Sequence, residues 1–166
     1  VRNYLPSHEW LVEGGWNIAD CVARSYDLEG MDVGTVGAGR IGTAVLKRLK
    51  AFDVKLHYTD RHRLPEDLEK ELNLTFHPTA EALVKICDVV TINTPLDPET
   101  EHLFNDALIG KMKRGAYIVN TARGKICERD AIVRALKSGQ LAGYAGDVWF
   151  PQPPPNAMRA HAGPGH

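Results

Sequence analysis

A glycine-rich segment in the first third of the chain has the residue types and spacing that bind a dinucleotide. Gly37-Ala38-Gly39-Arg40-Ile41-Gly42 follows a short apolar run and opens a helical pattern. In such a G-x-G-x-x-G segment the first glycine permits a tight turn, the second lets the backbone approach a pyrophosphate, and the third lets the helix pack closely. The N–H groups at the start of that helix would bind the phosphates. The same pattern also occurs in glycine-rich turns with no ligand.

A carboxylate favours the dinucleotide interpretation. Asp60 lies 18 positions after Gly42 and just past the next apolar run, near the roughly 20-residue spacing of a ribose-binding acid. Its oxygens would accept hydrogen bonds from both adenosine ribose hydroxyls. At close range in a partly screened site they would also repel a 2′-phosphate, at a cost on the order of a few kcal/mol. We therefore expect NAD rather than NADP. The guanidinium of Arg61 would offset part of that repulsion, and the alternative for Asp60 is an ordinary turn residue.

The elements that must position these residues alternate between short apolar strands and amphipathic helices. This alternation predicts an α/β fold, a Rossmann-type doubly wound parallel sheet with flanking helices. The predicted strands are Val33–Val36, Val54–Tyr58, Leu74–Phe76, Asp88–Asn93, Tyr117–Asn120 and Ala142–Gly146. The predicted helices are Ile41–Ala51, Glu66–Glu71, Glu81–Ile86, Asp106–Met112 and Arg129–Ser138.

The two ends of the chain have different patterns. Helical spacing from His8 to Tyr26 predicts one long helix, with Gly14-Gly15 as a candidate break. Residues 151–166 are rich in proline and small residues and have no core-forming pattern. We expect a dinucleotide-binding domain over residues 1–150, including the N-terminal helix, followed by an altered tail over residues 151–166.

Composition excludes several classes of function. The 166 residues are 43% hydrophobic and 25% charged, with a net charge of −1, as in ordinary globular proteins. We find no basic run for nucleic acid and no apolar stretch long enough for a membrane, so neither partner is expected. Three widely spaced cysteines, Cys21, Cys87 and Cys127, predict neither a disulfide framework nor a metal site. They suggest a reducing compartment such as the cytoplasm, with a mitochondrial location left open because the chain begins at Val1.

Four segments resemble, in this order, segments of the NAD-dependent formate dehydrogenases, a branch of the D-2-hydroxyacid dehydrogenases. They are Val1-Arg2-Asn3-Tyr4-Leu5-Pro6, Gly34-Thr35-Val36 with the glycine-rich segment, Asn120-Thr121-Ala122-Arg123-Gly124, and Gly146-Asp147-Val148-Trp149. The resemblance implies oxidation of formate to carbon dioxide with hydride transfer to NAD, and a homodimer. It also implies that much of the catalytic lobe is absent, so that this chain alone would be inactive.

The resemblance assigns roles residue by residue. Arg40 and Ile41 would lie along the pyrophosphate and Asp60 on the ribose. Arg123 would face formate, because a planar guanidinium holds a carboxylate by paired hydrogen bonds. The path from adenine to nicotinamide would be lined by Pro95, Leu96, Asp97, Pro98, Glu99, Thr121 and Asp147.

The tail holds the two remaining catalytic candidates. Gln152 occupies a position where hydroxyacid dehydrogenases of this family place a Glu that pairs with a catalytic His. Formate loses only hydride, so a neutral Gln is sufficient to orient the imidazole. His161 is the candidate for that His, although Arg159-Ala160 precedes it where the family has Thr-Pro. The other histidines receive no catalytic or metal role. The alternatives are a D-2-hydroxyacid dehydrogenase and a nonenzymatic NAD-sensing interaction protein.

Overall fold

A six-stranded, wholly parallel sheet forms the centre of the protein, for which the computed structural model describes residues 4–16, 22–23 and 25–150. The order of the strands across the sheet is β3-β2-β1-β4-β5-β6. The strands are β1 (Asp32–Val36), β2 (Lys55–Thr59), β3 (Leu74–Phe76), β4 (Val89–Ile92), β5 (Ala116–Asn120) and β6 (Leu141–Gly146). The predicted Rossmann-type doubly wound fold is confirmed.

Helices connect these strands, as parallel pairing requires. They are α2 (Arg40–Leu49), α3 (Glu66–Leu72), α4 (Ala80–Val84), α5 (Asp106–Ile109) and α6 (Arg129–Ser138), whereas α1 (Tyr4–Val12) precedes β1. Short 3-10 turns at Lys50–Phe52 and Gly124–Ile126 complete the connections. After β3 the chain crosses over to β4, which pairs with β1 on the side opposite to β2. The strand order therefore reverses between β1 and β4.

Two apolar clusters hold the helices against the sheet. The smaller cluster joins Leu46 of α2 to Leu56 and Tyr58 of β2 and to Leu72 of α3. The larger cluster lies around β4 and β5 and includes the fully buried side chains of Val90 and Ile118. Burial of each such aliphatic side chain contributes roughly 1.5–3 kcal/mol to the stability of the fold. This packing holds in place the strands whose ends carry the candidate site.

The N-terminal helix differs from the prediction. Helix α1 begins at Tyr4 and ends at Val12, before Gly14 and Gly15, so the single helix from His8 to Tyr26 is wrong and the break at the two glycines is confirmed. Of the rest of that span, Val22 and Ala23 are helical, whereas residues 17–21 and 24 lie outside the described residues. None of the side chains of α1 is buried.

Three other helices end earlier than predicted. Helix α2 ends at Leu49 rather than Ala51 and continues as the 3-10 turn Lys50–Phe52. Helix α5 ends at Ile109, because Gly110 follows as its C-cap, so Met112 lies beyond the helix although it is buried. Helix α4 ends at Val84 rather than Ile86. Within the described residues no helix has both the length and the apolar character needed to cross a bilayer.

Candidate functional site

The carboxyl ends of five parallel strands bring the candidate residues to one edge of the sheet. Because all strands run the same way, the segments that follow them emerge on the same side. A crevice outside the strand ends, where the strand order reverses, is the usual ligand site of such folds. The residues concerned are Gly37 after β1, Asp60 after β2, 95–99 after β4, 121–123 after β5 and Asp147 after β6.

The first glycine of the G-x-G-x-x-G segment lies in a turn that no other residue fits. Gly37 has φ of +92°, and a Cβ there would lie 2.7 Å from the backbone nitrogen of Thr94. The Thr35 side chain stabilises this turn, because its hydroxyl donates to the Gly37 carbonyl at 2.8 Å and accepts from the Asn93 side-chain amide at 2.8 Å. Close packing of the β1 and β4 loops therefore depends on glycine at this position.

The second and third glycines have opposite surroundings. A Cβ at Gly42 would lie 2.0 Å from the Gly37 carbonyl oxygen, so this glycine permits the close approach of α2 to the turn. A Cβ at Gly39 would meet nothing within 4 Å. Gly39 is the N-cap of α2 and the helix start has no side-chain cap. The open space in front of the uncapped helix N-terminus fits a pyrophosphate.

Asp60 is held against this turn. Its Oδ2 accepts from the Ala38 N–H at 2.6 Å, and its Oδ1 accepts from the His62 N–H at 3.1 Å. Each carboxylate oxygen can accept a further hydrogen bond, so both remain available to ribose hydroxyls. The carboxylate predicted from spacing thus lies at the glycine-rich turn.

A cavity of about 430 Å³ extends from Asp60 towards the loop after β4. Its walls include Gly37, Asp60, Arg61, Thr94, Pro95 and Glu99. A cavity of this size, bounded by the candidate ribose-binding carboxylate of Asp60, fits the adenosine end of a dinucleotide. Leu96 and Pro98 are exposed in the same loop.

Arg123 lies in a loop that the buried Asn120 braces. The Asn120 Nδ2 donates to the Arg123 carbonyl at 3.0 Å, and its Oδ1 accepts from the Ala122 N–H at 3.1 Å. The exposed Arg123 guanidinium donates to the Ala122 carbonyl at 2.7 Å. The loop also contacts the segment after β6, since a Cβ at Gly124 would lie 2.6 Å from the carbonyl carbon of Trp149.

Asn120 and Cys127 are site neighbours whose roles the sequence alone did not indicate. The Asn120 amide also donates to the Cys127 Sγ at 3.5 Å. Burial raises the pKa of Cys127 to about 12, against hydrogen bonds from Tyr144 and Asn120 that lower it. This cysteine is therefore a structural neighbour of the loop and has no nucleophilic character at neutral pH. The signal for Asn120 was its polar side chain at the end of an apolar strand.

Not all predicted site residues come together. Arg40 and Ile41 line a separate depression on α2 with Ala44, and their backbone N–H groups lie at the start of that helix. Thr121 and Asp147 are exposed at the ends of β5 and β6. Gln152 and His161 lie outside the described residues.

Comparison with known proteins agrees with this geometry. The family profile described as D-isomer specific 2-hydroxyacid dehydrogenase, NAD binding domain, matches residues 1–163. The chain is 73% identical over 155 residues to the formate dehydrogenase of Pseudomonas sp. (strain 101), a match that covers 93% of this chain and 39% of that protein. The chain thus spans about two-fifths of the length of this relative.

Two solved structures share the fold. A formate dehydrogenase of Granulicella m. superposes with a TM-score of 0.92 and 70% identity over 94% of this chain and 42% of that chain. The NAD-dependent formate dehydrogenase of Staphylococcus aureus in complex with NAD gives a TM-score of 0.85 and 43% identity over 94% and 46%. With its glycine-rich turn, the carboxylate of Asp60 held against that turn and this profile match, the chain belongs to the NAD-binding domain family of the D-isomer-specific 2-hydroxyacid dehydrogenases.

Proposed function

We propose that this chain is the coenzyme-binding part of an NAD-dependent formate dehydrogenase, which oxidises formate to carbon dioxide and reduces NAD to NADH. The observation that carries the proposal is the 73% identity with a formate dehydrogenase across 93% of the chain. Residues 1–150 form the NAD-binding domain in this proposal. Groups outside this chain complete the formate site.

The cofactor is held by backbone and carboxylate groups. The N–H groups at the start of α2 bind the pyrophosphate, and Asp60 accepts hydrogen bonds from the adenosine ribose. The loop 95–99 covers the adenosine side of the cavity, and Thr121 and Asp147 lie towards the nicotinamide. NAD, when bound, accepts the hydride.

Arg123 positions the substrate. Its exposed guanidinium lies at the edge of the sheet that carries the glycine-rich turn, and its planar pair of N–H groups matches the two oxygens of formate. Because formate would lose only hydride to bound NAD on becoming carbon dioxide, no residue of this chain would have to remove a substrate proton. Gln152 needs only to orient an imidazole, and His161 is the candidate to supply it.

The protein is also proposed to be a homodimer. Helix α1 and Trp16, four residues beyond its end, expose large apolar side chains, including Tyr4 (74%), Val12 (74%) and Trp16 itself (77%). Such surfaces are usually covered by a partner or another lobe. Sedimentation should give a dimer, and a monomer at high concentration would contradict this part of the proposal.

The buried, unpaired Cys87 and Cys127 support a reducing compartment such as the cytoplasm.

A substrate comparison tests the reaction. The complete gene product that contains this chain should form NADH with formate and not with D-2-hydroxy acids. Replacing Arg123 by Gln should lower kcat/KM for formate by a factor of roughly 10² or more, because two charge-assisted hydrogen bonds of about 1.5–3 kcal/mol each are lost. Oxidation of a hydroxy acid in place of formate would establish the hydroxyacid dehydrogenase alternative.

Arg114→Gln is a matched control for this substitution. Arg114 is also exposed and also donates to a backbone carbonyl, that of Ser138 at 2.9 Å. It precedes β5, whereas Arg123 follows it, so the two arginines lie at opposite edges of the sheet. Arg114→Gln should leave kcat/KM unchanged, and an equal loss in both variants would show that the effect of Arg123→Gln is not specific to the site.

A further inference from the structure

Arg61, the residue after the ribose-side carboxylate, is paired with two acids from a distant loop. Its Nη2 lies 2.6 Å from the Asp97 Oδ2 and 2.9 Å from the Glu99 Oε2. The guanidinium therefore bridges the segment after β2 and the loop after β4 at the rim of the 430 Å³ cavity. Arginine in this place matters, because a guanidinium beside the ribose is what accommodates the 2′-phosphate of NADP.

The loop after β4 holds its acid in place before any ligand arrives. The Asp97 Oδ1 accepts from the backbone N–H groups of Glu99 and Thr100, both at 3.0 Å. The buried Thr100 closes the turn by donating its hydroxyl to the Pro95 carbonyl at 2.7 Å. Since Oδ1 is used by the turn, Oδ2 is left to engage Arg61.

Asp97 and Arg61 both remain charged at neutral pH. Burial would raise the pKa of Asp97, but hydrogen bonds from Arg61, from the Glu99 backbone and from Thr100 lower it overall. The pKa of Arg61 is raised by its hydrogen bond to Asp97 and by the charges of Asp97 and Glu99. Asp97 and Glu99 pair with the Arg61 guanidinium, and Asp60 precedes it in the chain, so these two loops carry three carboxylates for one arginine.

We propose that Asp97 and Glu99 are specificity-determining residues, which select NAD over NADP by withholding Arg61 from the 2′-phosphate. Asp60 repels that phosphate, and the two acids keep the neighbouring cation from offsetting the repulsion. Discrimination is thereby shared between the segments that follow β2 and β4. This inference rests on the cofactor part of the proposed function and is independent of formate as the substrate.

The structure also limits the size of the effect. The Arg61 side chain is 56% exposed and that of Glu99 is 78% exposed, so solvent screens these pairs. We expect about a tenfold change in the ratio of NADPH to NADH affinity when Asp97 is neutralised, falling as salt is added.

Binding titrations of NADH and NADPH, followed by cofactor fluorescence, test the proposal without any turnover. In Asp97→Asn the amide oxygen can still accept from the turn N–H groups, while the charge that holds Arg61 is removed. This variant should bind NADPH about tenfold better relative to NADH than the unmodified chain does. Glu99→Gln, at a more exposed position, should shift the ratio in the same direction by less.

A double variant separates release of Arg61 from a general change of charge. Arg61→Gln combined with Asp97→Asn should lose the NADPH gain, because the cation that would meet the 2′-phosphate is gone. An equal gain in the double variant, or no shift in Asp97→Asn and Glu99→Gln, would overturn the proposal. The Asp106→Asn control removes a comparable exposed pair, Arg134 Nη2 to Asp106 Oδ2 at 2.6 Å, and should leave the ratio unchanged.

Failure of this inference is distinguishable from failure of the proposed function. Loss of formate oxidation with normal NADH binding would contradict the reaction and leave the selectivity proposal intact. An unchanged affinity ratio with normal formate oxidation would contradict only the role of Asp97 and Glu99. No binding of either cofactor by the unmodified chain would contradict both.

Discussion

Two glycine-to-alanine substitutions in the glycine-rich turn should both weaken cofactor binding, but only one of them should lower stability. At Gly39 a methyl group meets no protein atom within 4 Å, and φ is −66°, which alanine adopts readily. Gly39→Ala should therefore change the free energy of unfolding by about 1 kcal/mol or less, and any loss would arise because alanine is a poorer N-cap than glycine. The same methyl group would occupy the open space in front of α2.

Gly42→Ala meets the opposite constraint. Its methyl carbon would lie 2.0 Å from the Gly37 carbonyl oxygen, so the backbone must move. Overpacking of this kind costs about 1–3 kcal/mol, which corresponds to a fall in Tm of roughly 2–12 °C for a domain of this size. Cofactor binding should weaken as well, because the turn and the helix separate.

Thermal unfolding and calorimetric titration with NAD distinguish the two roles. Gly39→Ala should keep the Tm and weaken NAD binding by a factor of about 10 to 100, as expected for loss of one phosphate hydrogen bond worth about 1.5–3 kcal/mol. Gly42→Ala should lower both the Tm and the affinity for NAD. Unchanged NAD affinity in Gly39→Ala would refute the placement of the pyrophosphate at this helix start.

The remaining predictions concern the loop after β5, the cysteines and the chain alone. Asn120→Ala removes the partners of the Ala122 N–H and the Arg123 carbonyl, so unfolding in urea should show a loss of about 1–3 kcal/mol; an unchanged stability would contradict the bracing role. Burial raises the pKa of both Cys87 and Cys127 from 9.0 to about 12, so their contribution to stability is complete below pH 9 and is lost between pH 9 and 12. Urea unfolding across that range should be less pH-dependent when both are replaced by Ala, and an identical pH profile would contradict this. The chain alone should bind NAD in calorimetry yet form NADH from formate only slowly, because hydride transfer needs close positioning by groups outside it; ordinary turnover would contradict this.

The sheet could be predicted from the sequence, because its strands are apolar runs bounded by polar or glycine residues. Predicted and observed strands differ by one or two residues at most, as for β2, which is Lys55–Thr59 rather than Val54–Tyr58. A parallel strand buried on both faces has this continuous apolar pattern. Asp60 could be placed for the same reason, since it follows a strand whose neighbour carries the glycine-rich turn.

The pairs that join distant loops could not be predicted. Arg61 and Asp97 are 36 residues apart, and nothing in their local sequences indicates that the β2 and β4 segments converge on one cavity. The buried His57 was one of several scattered histidines in the sequence, yet its ring forms hydrogen bonds with the ring of His77 at 3.0 Å and with the carboxylate of Asp32 at 2.9 Å. Such contacts depend on strand order, which brings β1, β2 and β3 side by side.

Helix α1 was mispredicted because helical periodicity does not show where a helix ends. The apolar residues from His8 to Tyr26 keep the spacing of one helix, but Gly14 and Gly15 add two residues of low helix propensity. None of the side chains of α1 is buried, so no tertiary packing stabilises a helix that continues across the two glycines.

The origin of the hydrogen transferred to NAD tests the central claim most directly. The complete gene product that contains this chain should be incubated with NAD and deuterated formate, and the NADH should be analysed by mass spectrometry. We predict NADH that carries one deuterium per molecule, with carbon dioxide formed in equal amount, because the C–H hydride of formate passes directly to the nicotinamide ring. Unlabelled NADH, or reduction of NAD only when a D-2-hydroxy acid replaces formate, would contradict the account.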